Sequence, residues 1–229
     1  MLDKIQPNVD LPNEILGIIF NDLASVTDAN DNRAIVAALT SCRLACHVLC
    51  SFATPLLFSS IELTESRQWV GMNKVGAFRE GATNLNQILT NNINIATSVQ
   101  TLKLRCYPES FKDVENGNLI AAILSRLPHI RNFALEGCFE QSLEFSIATK
   151  RDLGLSIQTL CRSPNLTTLS LHNIACFPIT HITKCPNLRY LRLSWTTVNP
   201  IFFIYIPRQL TVYSSLTSRM RHQARSFSI

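Results

Sequence analysis

The chain has few glycines, no long apolar run and no secretory signal at its start. With only seven glycines in 229 residues, it lacks the glycine-rich loops that hold nucleotide phosphates. The apolar run at 201–206 is far shorter than the ~20 residues that a membrane span requires. Residues 1–4 lack the basic start and apolar stretch of a signal peptide. We therefore expect no membrane partner and a location in the cytoplasm, the nucleus or both.

Signatures of catalysis and metal binding are also missing. The chain has no Gly-x-Ser-x-Gly, His-Glu-x-x-His or Cys-x-x-Cys motif, so we expect no enzyme, no catalytic residue, no metal and no cofactor. Eight cysteines without paired spacing favour free, mostly buried thiols over a disulfide set. Cys42, Cys46 and Cys50 are four residues apart, which predicts one helix face. A metal held there with His47 is an alternative, although one helix does not easily surround a tetrahedral ion.

Acidic residues end at Asp152, and the rest of the chain holds eight basic residues and no acid. This asymmetry fits either an anionic partner for the C-terminal third or a solvated surface with a loose basic tail. The basic residues are scattered rather than clustered, which favours the solvated surface and argues against nucleic acid as the partner.

Two helical stretches are predicted in the first third of the chain, after a polar arm at 1–9. Ile15 and Ile19 recur at helical spacing with Leu16 and Phe20 beside them, which gives the first helix a wide apolar face. The second helix is predicted over 33–52. We expect Leu16, Ile19 or Phe20 to stay exposed, and large exposed apolar patches usually mark an interface. The alternative is that this face docks on the structure that follows.

An apolar phrase with hydrophobic residues at its first, fourth and sixth positions recurs downstream. Its copies begin at Phe58, Val99, Ile130, Leu166 and Leu188. Helix-like segments precede the later copies, and Pro128, Pro164 and Pro186 stand at three of the junctions. Alternate residues of a strand share one side, so these positions predict short strands facing a core. The pattern favours an α/β leucine-rich-repeat solenoid with a parallel strand face and irregular period over an ordinary α/β domain.

In such a solenoid the residues between the inward leucines face solvent on the concave side. These are Thr101, Lys103, Arg105, Asn132, Ala134, Glu136, Thr168, Ser170, His172, Tyr190, Arg192 and Ser194. The candidate substrate-binding residues among them are Lys103, Arg105, Asn132, Glu136, Ser170, His172, Tyr190 and Arg192. The set is mostly polar and more positive than negative, which predicts a partly acidic protein segment as its ligand.

The start of the chain carries a motif in three pieces. They are Leu11-Pro12-x-Glu14-Ile15-Leu16-x-x-Ile19-Phe20, then Leu39-x-x-Cys42-x-Leu44-x-Cys46-His47-x-Leu49, then Pro55-Leu56-Leu57-Phe58. The motif resembles an F-box, and the whole chain resembles the fungal F-box proteins with leucine-rich repeats.

The resemblance implies an all-helical F-box of three short helices at 10–58 that binds a Skp-type adaptor of a cullin–RING ubiquitin ligase. It also implies a repeat solenoid at 59–199 that binds an unknown protein substrate, followed by an irregular basic segment at 200–229. The residues that match the adaptor-binding positions are Leu11, Pro12, Ile15, Leu16, Ile19, Phe20, Leu39, Leu44, Cys46 and Leu49. The alternative function is a stand-alone repeat scaffold without a ligase.

Overall fold

The computed structural model describes residues 12–25, 31–65, 74–138, 142–145, 152–196, 198–199 and 211–215. The chain divides into two compact units, one within residues 1–59 and the other within residues 60–229. The first unit is helical in its described part, and the second combines helices with a parallel sheet.

The N-terminal unit contains α1 (Asn13–Ser25), α2 (Asp31–Ala45) and α3 (His47–Leu57). Its core holds Phe20 from α1, Ile35 and Leu39 from α2, and Ala53 from α3. The ring of Phe20 stacks on that of Phe52 with 5.9 Å between the centroids. Each helix therefore contributes one apolar stripe to a small shared core.

The second predicted helix is interrupted at Cys46, which corrects the prediction of one helix over 33–52. Cys46 has an extended backbone, with φ −160° and ψ 166°, between the end of α2 and the start of α3. It is exposed, whereas Cys42 and Cys50 are half-buried. The three cysteines therefore do not line one helix face. Among the described residues, no group of three or more His, Cys, Asp or Glu side chains is arranged to hold a metal ion.

The C-terminal unit alternates helices with strands. Its described helices are α4 (Lys74–Asn91), α5 (Ile93–Ser98), α6 (Pro108–Lys112), α7 (Val114–Ser125), α8 (Asp152–Arg162) and α9 (Ile179–Ile182). Its described strands are β1 (Ser60–Thr64), β2 (Thr101–Cys106), β3 (Asn132–Gly137), β4 (Leu143–Glu144), β5 (Thr168–His172), β6 (Ile174–Ala175), β7 (Phe177–Pro178), β8 (Tyr190–Ser194), β9 (Val198–Asn199) and β10 (Thr211–Ser215).

Six of these strands form one parallel sheet in the order β1-β2-β3-β5-β8-β10, which follows the chain. All five predicted copies of the apolar phrase supply a strand to it, so the prediction of a mixed α/β fold with a parallel sheet is confirmed. The sixth strand is a correction, because Thr211–Ser215 lies in the segment expected to be irregular. It pairs in parallel with β8. Parallel neighbours need a crossover connection, and helices provide most of these.

Helices end just before the prolines that mark the junctions, as the sequence predicts. Each proline is followed by a turn into the next strand. Asparagine side chains in two of these turns form hydrogen bonds to the preceding junction. The side-chain amide of Asn165 donates to the carbonyl oxygen of Pro128 at 2.9 Å. That of Asn187 donates to the carbonyl oxygen of Pro164 at 2.7 Å. The same link thus joins two consecutive pairs of helix–strand copies.

One face of the sheet is apolar and buried, and the other is polar. The buried side chains alternate along the strands, as the leucine spacing requires. They include Leu102, Leu104, Phe133, Leu135, Leu169 and Leu171. Helices α4, α7 and α8 pack side by side in chain order, and their buried residues complete the core. The opposite surface, called the polar sheet face below, carries the residues between the leucines.

Candidate functional site

Helix α1 carries a second apolar stripe that its own unit leaves uncovered. Ile15, Ile18 and Ile19 are 42%, 57% and 51% exposed. Their spacing of three and four residues places them on one side of the helix. Leu16 and Phe20 on the same helix are buried. Helix α1 is therefore apolar around most of its circumference, and only part of that surface is covered.

The structure separates the predicted adaptor-binding residues into three groups. Pro12, Ile15, Ile19, Leu44 and Cys46 are exposed, Leu49 is half-buried, and Leu16, Phe20 and Leu39 are buried, while Leu11 lies outside the described residues.

Of the three residues of which one or more was expected to stay exposed, Ile19 is exposed, whereas Leu16 and Phe20 are buried. The ring of Phe20 packs on Phe52, and Phe20 and Leu39 both lie in the core of the helical unit. Ile18 is an exposed member of the stripe that was not among the predicted residues. Its spacing from Ile15 was the available signal.

The polar sheet face holds a network of charges on β1, β2 and β3. The side chain of Arg105 donates two hydrogen bonds to one carboxylate oxygen of Glu136, at 2.9 Å from Nε and 2.7 Å from Nη2. The Lys103 ammonium lies 3.2 Å from the other Glu136 oxygen and 3.6 Å from a carboxylate oxygen of Glu62. Two cations are therefore balanced by two carboxylates on adjacent strands.

Electrostatics agree with this geometry. Burial alone would raise the pKa of Glu136, but the hydrogen bonds from Arg105 and Lys103 outweigh it and hold that pKa below its usual value. The hydrogen bond to Glu136 likewise raises the pKa of Arg105. Both shifts favour the charged forms, so Glu136 and Arg105 carry their charges near neutral pH.

The face was predicted to be more positive than negative as a whole, and the pairing shows that Lys103 and Arg105 contribute no surplus charge to it. Their charge is already neutralised by Glu136 and Glu62, because the parallel register places Glu136 beside Arg105 and Glu62 beside Lys103. Glu62 was missed by the sequence reasoning. The signal for it was its place in the first copy of the apolar phrase, one residue before Leu63.

The remaining predicted substrate-binding residues lie on the same face but differ in their partners. Asn132 donates from its side-chain amide to the Thr101 hydroxyl at 3.1 Å. Ser170 is half-buried, and His172, Tyr190 and Arg192 are exposed. Arg192 makes no ion pair with any carboxylate that the structure describes. The two ends of the face therefore differ: charges near β1–β3 are paired, and the arginine on β8 is not.

A buried carboxylate lies just beyond the end of β1. Glu65 accepts a hydrogen bond from the Ser110 hydroxyl at 2.7 Å and one from the backbone N–H of Tyr107 at 2.9 Å. These bonds satisfy both of its oxygens and tie the end of β1 to α6. We interpret Glu65 as a structural residue.

Comparison of the chain with models of known protein families gives no match, and comparison with curated proteins gives none either. Within the part of the chain that the structure describes, every helix is too short or too polar to cross a lipid bilayer.

Proposed function

We propose that the protein is a non-enzymatic adaptor of a Skp–cullin–F-box-type ubiquitin ligase. In this proposal the helical unit is an F-box that binds the Skp-type adaptor, and the helix–strand unit is a leucine-rich-repeat solenoid that binds the protein substrate. The observation that carries it is the bare stripe of Ile15, Ile18 and Ile19 on α1. Exposed apolar surface of this kind is costly to maintain unless a partner covers it.

Two features of the fold support the assignment. Three short helices carry the motif that resembles an F-box, and their small core cannot cover every apolar side chain they contain. In the second unit, strands join the sheet in chain order and Asn165 and Asn187 link successive copies. Nearest-neighbour stacking of this kind is typical of solenoids, in which each copy buries its leucines against the next.

Co-expression with a Skp-type adaptor tests the proposal. The double variant Ile18→Asp/Ile19→Asp places charges on the exposed stripe without entering the core. We expect it to weaken the complex about 30-fold or more, because truncating central interface anchors commonly costs ~2–4 kcal/mol. Binding is measured by titration calorimetry, or by recovery of the heterodimer on a sizing column.

The matched control is Leu155→Asp, which changes an equally exposed leucine on α8, at 59% exposure. It should leave the complex intact. Full retention of the adaptor by the Ile18/Ile19 variant would contradict the F-box assignment.

A stand-alone repeat scaffold is the second candidate function. It is favoured by the burial of Phe20 and Leu39, since the helical unit uses these motif residues for its own core. Under this alternative, the wild-type chain forms no complex with the Skp-type adaptor, while its polar sheet face still captures proteins.

A further inference from the structure

Two exposed arginines occupy equivalent places in different copies of the repeat. Arg131 and Arg189 each stand immediately before a strand of the main sheet. The backbone N–H of Thr167 donates to the carbonyl of Arg131 at 2.8 Å, and that of Arg189 donates to the carbonyl of Thr167 at 2.9 Å. The two arginines are therefore two strands apart, which corresponds to about 10 Å.

A third exposed arginine completes the group. Arg192 is three residues beyond Arg189 along β8, again about 10 Å away. Tyr190 lies between them and is 49% exposed. None of the three arginines makes an ion pair with a carboxylate of the described chain, in contrast to Lys103 and Arg105. We call Arg131, Arg189, Tyr190 and Arg192 the basic strand patch.

The chain provides little to neutralise this patch. After Asp152 the sequence contains no acidic residue. Glu136 is the acidic residue of β3, the strand that follows Arg131, and it is held by Arg105 and Lys103. Three exposed positive charges, one just before β3, one just before β8 and one on β8, therefore have no partner carboxylate among the described residues, whereas Lys103 and Arg105 are paired.

Trp195, which directly follows β8, is a second and independent observation. Its backbone has φ +55°, a left-handed conformation that non-glycine residues adopt at a cost of about 1 kcal/mol. It is also 55% exposed. Asn173 occupies the same position after β5 with the same φ, and asparagine tolerates it better. The left-handed turn is thus shared by two copies of the fold, but the turn does not require a large exposed aromatic side chain, which asparagine replaces in the other copy; the exposed Trp195 ring therefore points to function.

We propose that the basic strand patch and Trp195 bind an extended acidic segment of a protein, in which carboxylates meet the arginines and an apolar side chain contacts Trp195. This inference rests on the proposed function in one respect: the protein that carries the acidic segment is taken to be the substrate of the ligase.

A peptide fits the patch better than nucleic acid does. The basic strand patch offers only three cations, and Glu62 and Glu136 lie on the same sheet, where they would repel a phosphate backbone. Nucleic-acid binding usually relies on a broader positive surface.

Fluorescence anisotropy of a labelled peptide on the full chain tests this proposal. The probe is Glu-Pro-Leu-Glu-Pro-Leu-Glu, because acidic residues at every third position of a polyproline II segment share one side about 9 Å apart, which matches the spacing of one arginine pair, either Arg131 with Arg189 or Arg189 with Arg192. The control peptide has glutamine in place of glutamate. We expect the acidic peptide to bind more tightly than its control, and added salt to weaken its binding.

The triple variant Arg131→Gln/Arg189→Gln/Arg192→Gln should raise the Kd for the acidic peptide about tenfold or more. Arg162→Gln, a change at an exposed arginine at the end of α8, is the matched control and should not alter the Kd. Trp195→Asn should weaken peptide binding. The midpoint of thermal unfolding of this variant should equal that of the wild type or be higher.

Three results would overturn the proposal: equal binding of the two peptides, an unchanged Kd in the triple variant, or tighter binding of single-stranded DNA than of the acidic peptide. An unchanged Kd in Trp195→Asn would remove Trp195 from the site. If the wild type fails to bind the Skp-type adaptor but still binds the acidic peptide, the proposed function fails and this inference stands.

Discussion

Gly137, at the end of β3, lies where another stretch of backbone passes too close for a side chain. A Cβ atom there would lie 2.6 Å from the carbonyl oxygen of Asn173 and 3.1 Å from Cγ of Leu143. That carbonyl also accepts a hydrogen bond from the Leu143 N–H at 2.9 Å, so it cannot move without losing the bond. We expect Gly137→Ala to lower the free energy of unfolding by about 1–3 kcal/mol, measured by urea denaturation.

Gly117 provides the matched control. It lies inside α7, and a Cβ atom there would meet Leu153 Cβ at 3.8 Å, an ordinary contact. Because alanine is favoured over glycine in a helix by up to about 1 kcal/mol, Gly117→Ala should be neutral or stabilising. Equal destabilisation by both changes would contradict the close approach at Gly137.

Inward-facing residues of the sheet could be predicted from sequence, but their charged neighbours could not. Leu102 and Leu104 alternate with polar residues, and strand geometry alone then determines which side is buried. The pairing of Arg105 with Glu136 depends instead on the register between strands 31 residues apart. The register between two strands is fixed by packing across the sheet, so it cannot be predicted from the sequence of either strand alone.

At the scale of secondary structure, Asp113 at the start of α7 joins two helices. Its carboxylate accepts from the backbone N–H of Asn116 at 3.0 Å and pairs with Arg79 of α4 at 3.0 Å. The Asn116 N–H bond is the main reason that the pKa of Asp113 is lowered, with the nearby Arg79 acting in the same direction.

Because Asp113 caps α7, we expect Asp113→Ala to cost about 1–2 kcal/mol of stability at neutral pH, measured by chemical denaturation. Asp113→Asn retains the oxygen that accepts from Asn116 and loses only the ion pair, so its cost should be well under half of that. If the two variants lose the same stability, the cap is not the important interaction.

Helix and strand boundaries were predictable where proline or alternation marks them. The junctions at Pro128, Pro164 and Pro186 are examples, because proline ends a helix by removing a hydrogen-bond donor. The break at Cys46 carries no proline or glycine, so the periodic pattern runs through it. Strand β10 was not predicted because the sequence before it lacks a helix-like segment and a proline junction like those at Pro128, Pro164 and Pro186.

Across the whole molecule, the order of the strands determines the distribution of charge. Because each copy adds its strand beside the previous one, Glu62 on β1 and Glu136 on β3 flank the two cations of β2. The acid-free last third supplies β5, β8 and β10. The charge asymmetry visible in the sequence thus becomes a difference between the two ends of one sheet. Which arginines remain unpaired became clear only from the strand register.

The charge network on β1–β3 should make the stability of the C-terminal unit sensitive to acid. Since the pKa of Glu136 is lower in the folded chain than its usual value, its contribution is present above the unfolded pKa of about 4.3. It is lost as the pH falls through the folded pKa. We expect Glu136→Gln to be about 1–2 kcal/mol less stable than wild type at pH 7, and the difference to disappear in acid. Denaturant unfolding curves across this pH range test the prediction.

Glu80→Gln, at an exposed residue that makes no ion pair with the described residues, is the control and should follow the wild-type curve. A constant difference between Glu136→Gln and wild type at every pH would show that the Glu136 charge does not stabilise the sheet.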